Sequence, residues 1–220
     1  MEKYIMKLSP QTISVLQNFQ TLNSSIVLTP GNVIKTMTKT TVAKATVPDS
    51  FPMKVGIYDL SKFLGILSLD KESDIDFQEN QMLIKQGRSK IKYNYCDASL
   101  ILHPEKDVKV FDVYVKFDLT PEILQGVTKA MSILKFSEIE IRGEDGLLYI
   151  STVNTKNKGS DVFSTEIGEV DKTFSAIIEA EKLKLIPSTY TVSLSNEGLS
   201  HFKSDDVEYW IALSTKSNFH

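Results

Sequence analysis

The chain has one cysteine in 220 residues, only three histidines and one tryptophan. Each scarcity removes a class of function. A lone Cys96 rules out an internal disulfide framework and supplies no cysteine cluster for zinc. Cysteine could still act as a nucleophile, but that chemistry needs a base beside it, and His103, His201 and His220 fall into no triad or metal spacing. Gly-rich phosphate loops are absent too, so no cofactor or metal is expected. Asp205 and Asp206 are adjacent, which on a strand points them to opposite faces and in a turn leaves them solvated, so they form no acid–base dyad. No apolar run approaches the ~20 residues that cross a bilayer. The opening Met1-Glu2-Lys3-Tyr4-Ile5-Met6-Lys7 lacks the apolar core of a signal peptide, and a cytosolic protein is expected.

Hydrophobic residues make up 41% and charged residues 24% of the chain, with a net charge of −3. This is the composition of a folded globular protein. A surface that grips nucleic acid everywhere would be basic, so any DNA contact must confine its lysines to one face.

Most of the chain alternates polar and apolar residues with period two, as half-buried antiparallel strands do. In Thr189-Tyr190-Thr191-Val192-Ser193-Leu194-Ser195, the residues Tyr190, Val192 and Leu194 share one face. Similar runs occur at 113–117, 138–142 and 82–84, punctuated by Pro30-Gly31, Gly87, Glu144-Asp145-Gly146 and Asn196-Glu197-Gly198.

Four stretches have helical spacing instead, and they come in pairs. Leu8-Ser9-Pro10 and Leu119-Thr120-Pro121 each place a hydroxyl N-cap before a proline at the first helical position. Ile13, Leu16 and Phe19 or Gln20 form an apolar stripe behind the first start. Ile123 or Leu124, Val127, Met131 and Leu134 form one behind the other. The second pair is 57–66 and 177–186, in each of which a strand ends in isoleucine, an acidic residue opens the helix where its charge suits the helix dipole, and a lysine follows three residues later. A duplicated unit with two helices per half follows. The polar stretch His103-Pro104-Glu105-Lys106-Asp107 marks a linker within about 97–112, separating domains at 1–106 and 107–220.

The segments Met6-Lys7-Leu8-Ser9, Leu16-Gln17-Asn18-Phe19 and Leu22-Asn23-Ser24 resemble the start of the T-even phage DNA polymerase sliding clamps. Ile57-Tyr58-Asp59-Leu60 and Phe63-Leu64-Gly65-Ile66-Leu67-Ser68-Leu69 resemble that family around its second helix, and Tyr209-Trp210-Ile211-Ala212-Leu213 does so more weakly near the end. The resemblance covers the whole chain. It departs in two places: the family's usual start falls at Met6, leaving Met1 to Ile5 as an extension, and the linker is poorer in proline.

The resemblance implies an α+β fold of two similar clamp-type domains, with antiparallel sheets outside and two helices per domain facing a ring lumen. It also implies a homotrimer that encircles duplex DNA without reading its sequence and tethers the replicative polymerase in the cytoplasm of an infected bacterium. An ATP-dependent clamp loader, the polymerase tail peptide and late transcription factors are its implied partners. Phosphate attraction without base readout calls for lysines on the inward helices. Lys62 and Lys182, at equivalent repeat positions, are the first candidates, followed by Lys129 and Lys184, with Lys7 and Lys135 at helix ends. The first helix offers only Gln11, Gln17 and Asn18. An apolar partner groove beside the linker would draw on Val108, Val110 and Phe111, with Leu199, Tyr209 and Trp210. On residues alone, each of these lysines better suits an ordinary solvated helix face and Phe111 an ordinary core, while Trp210 suits core and groove equally. The competing accounts are a sheet-rich structural or assembly protein with no DNA role, and an enzyme built on Cys96 or paired carboxylates.

Overall fold

Ser9 and Pro10 start the first helix as their chemistry demands. The Ser9 hydroxyl accepts a hydrogen bond from the Thr12 amide at 3.2 Å, satisfying one of the helix's otherwise orphaned donors. In this computed structural model residues 4–70, 72–109, 111–157 and 159–220 are described. The chain divides into two units, Met1–Asp107 and Val108–His220.

In the first unit, strand β1 (Tyr4–Met6) precedes α1 (Pro10–Leu22), β2 (Ile26–Leu28), β3 (Gly31–Met37), β4 (Thr41–Phe51) and β5 (Val55–Ile57). Then come α2 (Leu60–Ser68), β6 (Asp74–Phe77), β7 (Gln81–Gln86) and β8 (Ser89–Asn94). Strands β1, β6, β7 and β8 form one antiparallel sheet, while β2 pairs with β5 and β3 with β4. The extension before Met6 therefore supplies Tyr4 and Ile5 to an edge strand opposite Phe77 and Asp76.

Helix α1 packs on β4 and α2 through Thr12, Val15, Leu16 and Phe19, against Ala43, Ala45 and Val47 on the buried face of β4. Ile13, expected on the stripe, is only half-buried, and Val15 takes the inward position. In α2, Leu60, Phe63, Leu64 and Leu67 face inward, and Phe63 meets Tyr93 edge-on at 5.6 Å. Such an aromatic pair contributes ~0.5–1.5 kcal/mol beyond its buried area.

The second unit opens with β9 (Val115–Leu119), α3 (Pro121–Leu134), β10 (Glu138–Glu144), β11 (Leu147–Val153), β12 (Phe163–Glu169) and β13 (Phe174–Glu179). Strands β14 (Tyr190–Leu194), β15 (Leu199–Lys203), β16 (Val207–Ala212) and β17 (Asn218–Phe219) complete it. One antiparallel sheet runs β12-β11-β10-β13-β17, and β9, β14, β15 and β16 pair consecutively in another. The β10–β11 hairpin turns on Asp145 and Gly146, both at positive φ (53° and 84°), as a two-residue turn matched to strand twist requires. The α3 stripe is Val127, Ala130 and Met131, and Ile123, Leu124 and Leu134 are half-buried at its margins.

The fourth expected helix is not one. Residues 177–179 end β13, where Ile178 opposes Ile139 and Ile177 opposes Glu140, and only one 3-10 turn, Ala180–Lys182, follows. Two forces override the helical spacing. The isoleucines are β-branched and gain cross-strand partners in β10, and Pro187 disfavours helical φ and ψ at Ile186. Two tyrosines then fix the Ile186 backbone: its amide donates to the Tyr209 hydroxyl at 3.1 Å, and its carbonyl accepts from the Tyr190 hydroxyl. The described residues of the second unit thus contain one α-helix.

Candidate nucleic-acid interface and docking face

Helices α1, α2 and α3 each bury one stripe and leave the other to solvent. On α1 the exposed face is uncharged, with Gln11, Ser14, Gln17 and Thr21, and Asn18 is half-exposed beside it. On α2 it carries Ser61, Lys62, Gly65 and Ser68. On α3 it carries Glu122, Gln125, Thr128, Lys129 and Ser132, with the exposed Ile133 beside them. The Thr128 and Ser132 hydroxyls donate to the carbonyls of Leu124 and Thr128, at 2.7 and 3.1 Å, which leaves Lys129 as the cation of that face.

Each predicted lysine has a distinct setting. Lys62 is exposed, one turn into α2, and its amide donates to the capping Asp59 carboxylate at 2.8 Å. Lys129 is exposed at mid-helix, and Lys135 is the left-handed C-cap of α3 at φ 56°. Lys184 is exposed beyond the 3-10 turn. Lys7 is exposed but paired with Glu72 at 2.7 Å. That pairing and the Glu72 charge, with Asp74 and Asp70 behind it, raise the Lys7 pKa above its ordinary value.

Lys182 departs from expectation. Its side chain is 11% exposed and its ammonium lies 3.2 Å from the Glu179 carboxylate. With no helix there, nothing projects it outward, and its charge is already compensated. It is not equivalent to Lys62. The three-residue spacing of Glu179 and Lys182 was a legible signal for this pair, whereas Glu72 is 65 residues from Lys7 and had no local one.

The groove residues divide by strand face. Tyr209 belongs to the core, with no exposed surface, between Tyr190 at 6.1 Å and the Ile186 backbone. Burial raises its pKa to about 12, against the opposing hydrogen bonds with the Ile186 amide and the Tyr190 hydroxyl. It lines no groove, because period two turns it inward with Val207 and Ile211. Trp210 is turned outward, half-buried, with its indole stacked on His201 at 4.5 Å and 6°. His201 Nε2 lies 2.9 Å from a Glu208 carboxylate oxygen, and Phe111 meets the imidazole edge-on at 6.4 Å. Leu199 lies on the same face as His201, opposite Ala212. Phe111, His201, Trp210 and Leu199 thus share one half-buried, largely aromatic face, with the Glu208 carboxylate at His201. Val108 is half-buried, and Val110 lies outside the described residues. His201 was missed as a member of this face; its register opposite Trp210 is a property of the hairpin.

The candidates for catalysis stay apart. Cys96 pairs with Gly56 in an isolated bridge, its amide 3.0 Å from the Gly56 carbonyl. Burial, reinforced by Asp97, raises its thiol pKa away from the reactive thiolate. Asp205 and Asp206 are exposed in the β15–β16 turn. Among the described residues no group of three or more His, Cys, Asp or Glu could hold a metal, and no helix is long and apolar enough to cross a membrane.

Known proteins are similar to this chain over nearly its full length. The family described as DNA polymerase processivity factor matches residues 7–103, and that described as gp45 sliding clamp, C terminal, matches residues 116–215. The sliding clamp of Vibrio phage KVP40 is 34% identical, covering 94% of this chain and 98% of that protein. The sliding clamp of Enterobacteria phage T4 is 31% identical, covering 96% and 98%. Among solved structures, A. fulgidus PCNA bound to the C-terminal region of FEN-1 shares the fold with a TM-score of 0.71, at 15% identity, over 98% of this chain and 99% of that one. The α+β arrangement of two similar sheet-rich domains is accordingly a clamp fold. Neither an enzyme nor a DNA-independent assembly block is consistent with these relationships. The chain belongs to the phage sliding clamps, the non-enzymatic processivity factors of DNA polymerase.

Proposed function

We propose that this clamp closes with two further copies into a ring around duplex DNA and tethers the replicative polymerase by its tail peptide. The observation that supports it best is the placement of Lys62 and Lys129 on the solvent faces of helices that are otherwise neutral or nearly so. Two exposed ammonium groups on polar helix faces attract phosphate at any sequence and offer little that could read a base. Lys135, Lys184 and Lys7 contribute at the margins. Lys7 is the weakest of these because Glu72 competes for it. The net charge of −3 discourages DNA from adhering elsewhere, so linkage by topology rather than affinity supplies processivity.

The domains proposed as functional units are 1–106 and 107–220. Partner tails dock on the face that bears Phe111, Leu199 and Trp210, with Val108 a further candidate. This follows the pattern of A. fulgidus PCNA, which holds the C-terminal region of FEN-1, and of the Helicobacter pylori beta clamp, which is bound to a DNA ligase peptide. An ATP-dependent loader opens the ring, late transcription factors share the docking face, and the assembly works in the cytoplasm of the infected host.

Light scattering across a dilution series tests the ring. A species of three times 24.7 kDa supports it. Loading on nicked circular DNA then tests topology: a ring stays bound until the circle is cut. A monomer at every concentration, or equal retention on circular and linear DNA, overturns the proposal.

A further inference from the structure

Strands β3 and β4 set two lysines face to face. Lys35 and Lys44 are direct partners in the antiparallel ladder, where like charges repel and weaken the pairing. An anion between them relieves that repulsion. The Asp107 carboxylate fills this role, 2.7 Å from the Lys35 ammonium. The hydrogen bond from Lys35, then the charges of Lys35 and Lys44, hold the Asp107 pKa below its usual value. Beside this ion pair lies a cleft of about 630 Å³, lined by Lys35, Lys44, Lys54, Val27, Val33 and Pro104 among others. The Asp107 side chain is 73% exposed. An ion pair so open to water is weak and readily exchanged.

We propose that this cleft receives an acidic segment of a partner protein, and that Asp107 occupies the position of the incoming carboxylate until the partner displaces it. The inference rests on the reading of this clamp as a platform for partner peptides and adds a chemical class to it. Charge complementarity identifies the occupant: Lys35, Lys44 and Lys54 line the cleft against two carboxylates of the chain, Glu105 and Asp107, which leaves cations in excess. The apolar Val33 and Pro104 favour a peptide, whose carboxylate replaces Asp107 while a neighbouring aliphatic side chain covers them. A single-stranded nucleic acid would find no Phe, Tyr or Trp in the lining on which to stack its bases.

The probe is a fluorescein-labelled seven-residue peptide alternating leucine with aspartate and glutamate, compared with the same peptide carrying asparagine and glutamine. Anisotropy is read on the full chain. The acidic peptide binds and the amide peptide does not. Asp107→Asn tightens binding about threefold, as removal of a weak internal competitor should. Lys35→Gln with Lys44→Gln weakens it at least tenfold, since charge-assisted bonds are removed. Lys90→Gln with Lys92→Gln, on exposed β8 positions, changes nothing, and thermal melts report that every variant folds.

Equal binding of both peptides, binding insensitive to the Lys35 and Lys44 substitutions, or no binding to either the wild type or Asp107→Asn overturns the proposal. Displacement by a short DNA duplex that depends on Lys35 and Lys44 assigns the cleft to nucleic acid instead. A change in mass on Asp107→Asn assigns it to a second copy of this chain. If the ring forms and holds circular DNA while the acidic peptide is ignored, this inference alone falls.

Discussion

His201 and Trp210 oppose each other across β15 and β16 with rings 4.5 Å apart and nearly parallel, while Tyr209, one residue earlier, is wholly buried. Neighbours in sequence thus have opposite fates. Trp210→Ala is expected to weaken polymerase-tail binding at least tenfold, as loss of an aromatic anchor does, with little change in thermal stability. Tyr209→Ala should cost about 3–5 kcal/mol, as loss of a large core side chain does. Titration calorimetry with a tail peptide, beside denaturant melts, separates the two.

Lys62→Gln and Lys129→Gln should each make DNA binding less sensitive to salt, reducing the slope of log affinity against log salt by about one, because each removes one ammonium that neutralises a phosphate. Lys182→Gln should leave the slope unchanged, because Glu179 already holds that ammonium. Equilibrium binding to a short linear duplex, from which a ring can slide off, provides the comparison across a salt series. A larger change of slope for Lys182→Gln than for Lys62→Gln would reverse the assignment.

Tyr190→Phe and Tyr209→Phe each remove one hydrogen bond to Ile186, costing about 1 kcal/mol apiece. Hydrogen exchange distinguishes them. The Ile186 amide, which donates to Tyr209, should exchange faster in Tyr209→Phe and hardly change in Tyr190→Phe.

Burial alone would raise the Glu138 pKa, but hydrogen bonds from Lys216 and Thr155 and the Lys216 charge outweigh it and lower the value from 4.5. Folding therefore gains stability from the ionised form. That gain is complete above the unfolded-state value near 4.5 and disappears as pH falls through the lower folded-state value. Glu138→Gln should destabilise the chain at neutral pH and converge with the wild type in acid. Melts from pH 7 to pH 2 give the profile.

Gly143→Ala should destabilise the second unit. A Cβ there would lie 2.2 Å from the Lys172 carbonyl oxygen and 2.7 Å from the Phe174 ring. Backbone cannot yield cheaply, so about 1–3 kcal/mol or more is expected, read as a lowered denaturant midpoint.

Much of the fold was legible because the signals were local. Ser9-Pro10 and Thr120-Pro121 mark helix starts through hydroxyl caps and a proline that needs no N–H donor. Asp145-Gly146 marks a hairpin because those residues tolerate positive φ. Lys62 and Lys129 were legible as solvent-facing once their helices were placed. The helix expected at 177–186 misled because isoleucine and lysine spacing suits a strand followed by a turn as well as a helix. Its outcome rests on β10 and on Tyr190 and Tyr209.

The sequence alone determined where α1 and α3 begin, the alternation that makes β14 and β16 half-buried strands, and the family to which the chain belongs. These depend on residues a few positions apart, or on wording shared along the whole chain. Only the tertiary structure decided that Glu179 closes a strand and a single 3-10 turn follows it, that Lys182 is held by Glu179, that Trp210 faces out beside His201, and that Asp107 lies against Lys35. Each of these is set by which distant segment packs against the residue, and by whether burial there is offset by a partner, which no local pattern encodes.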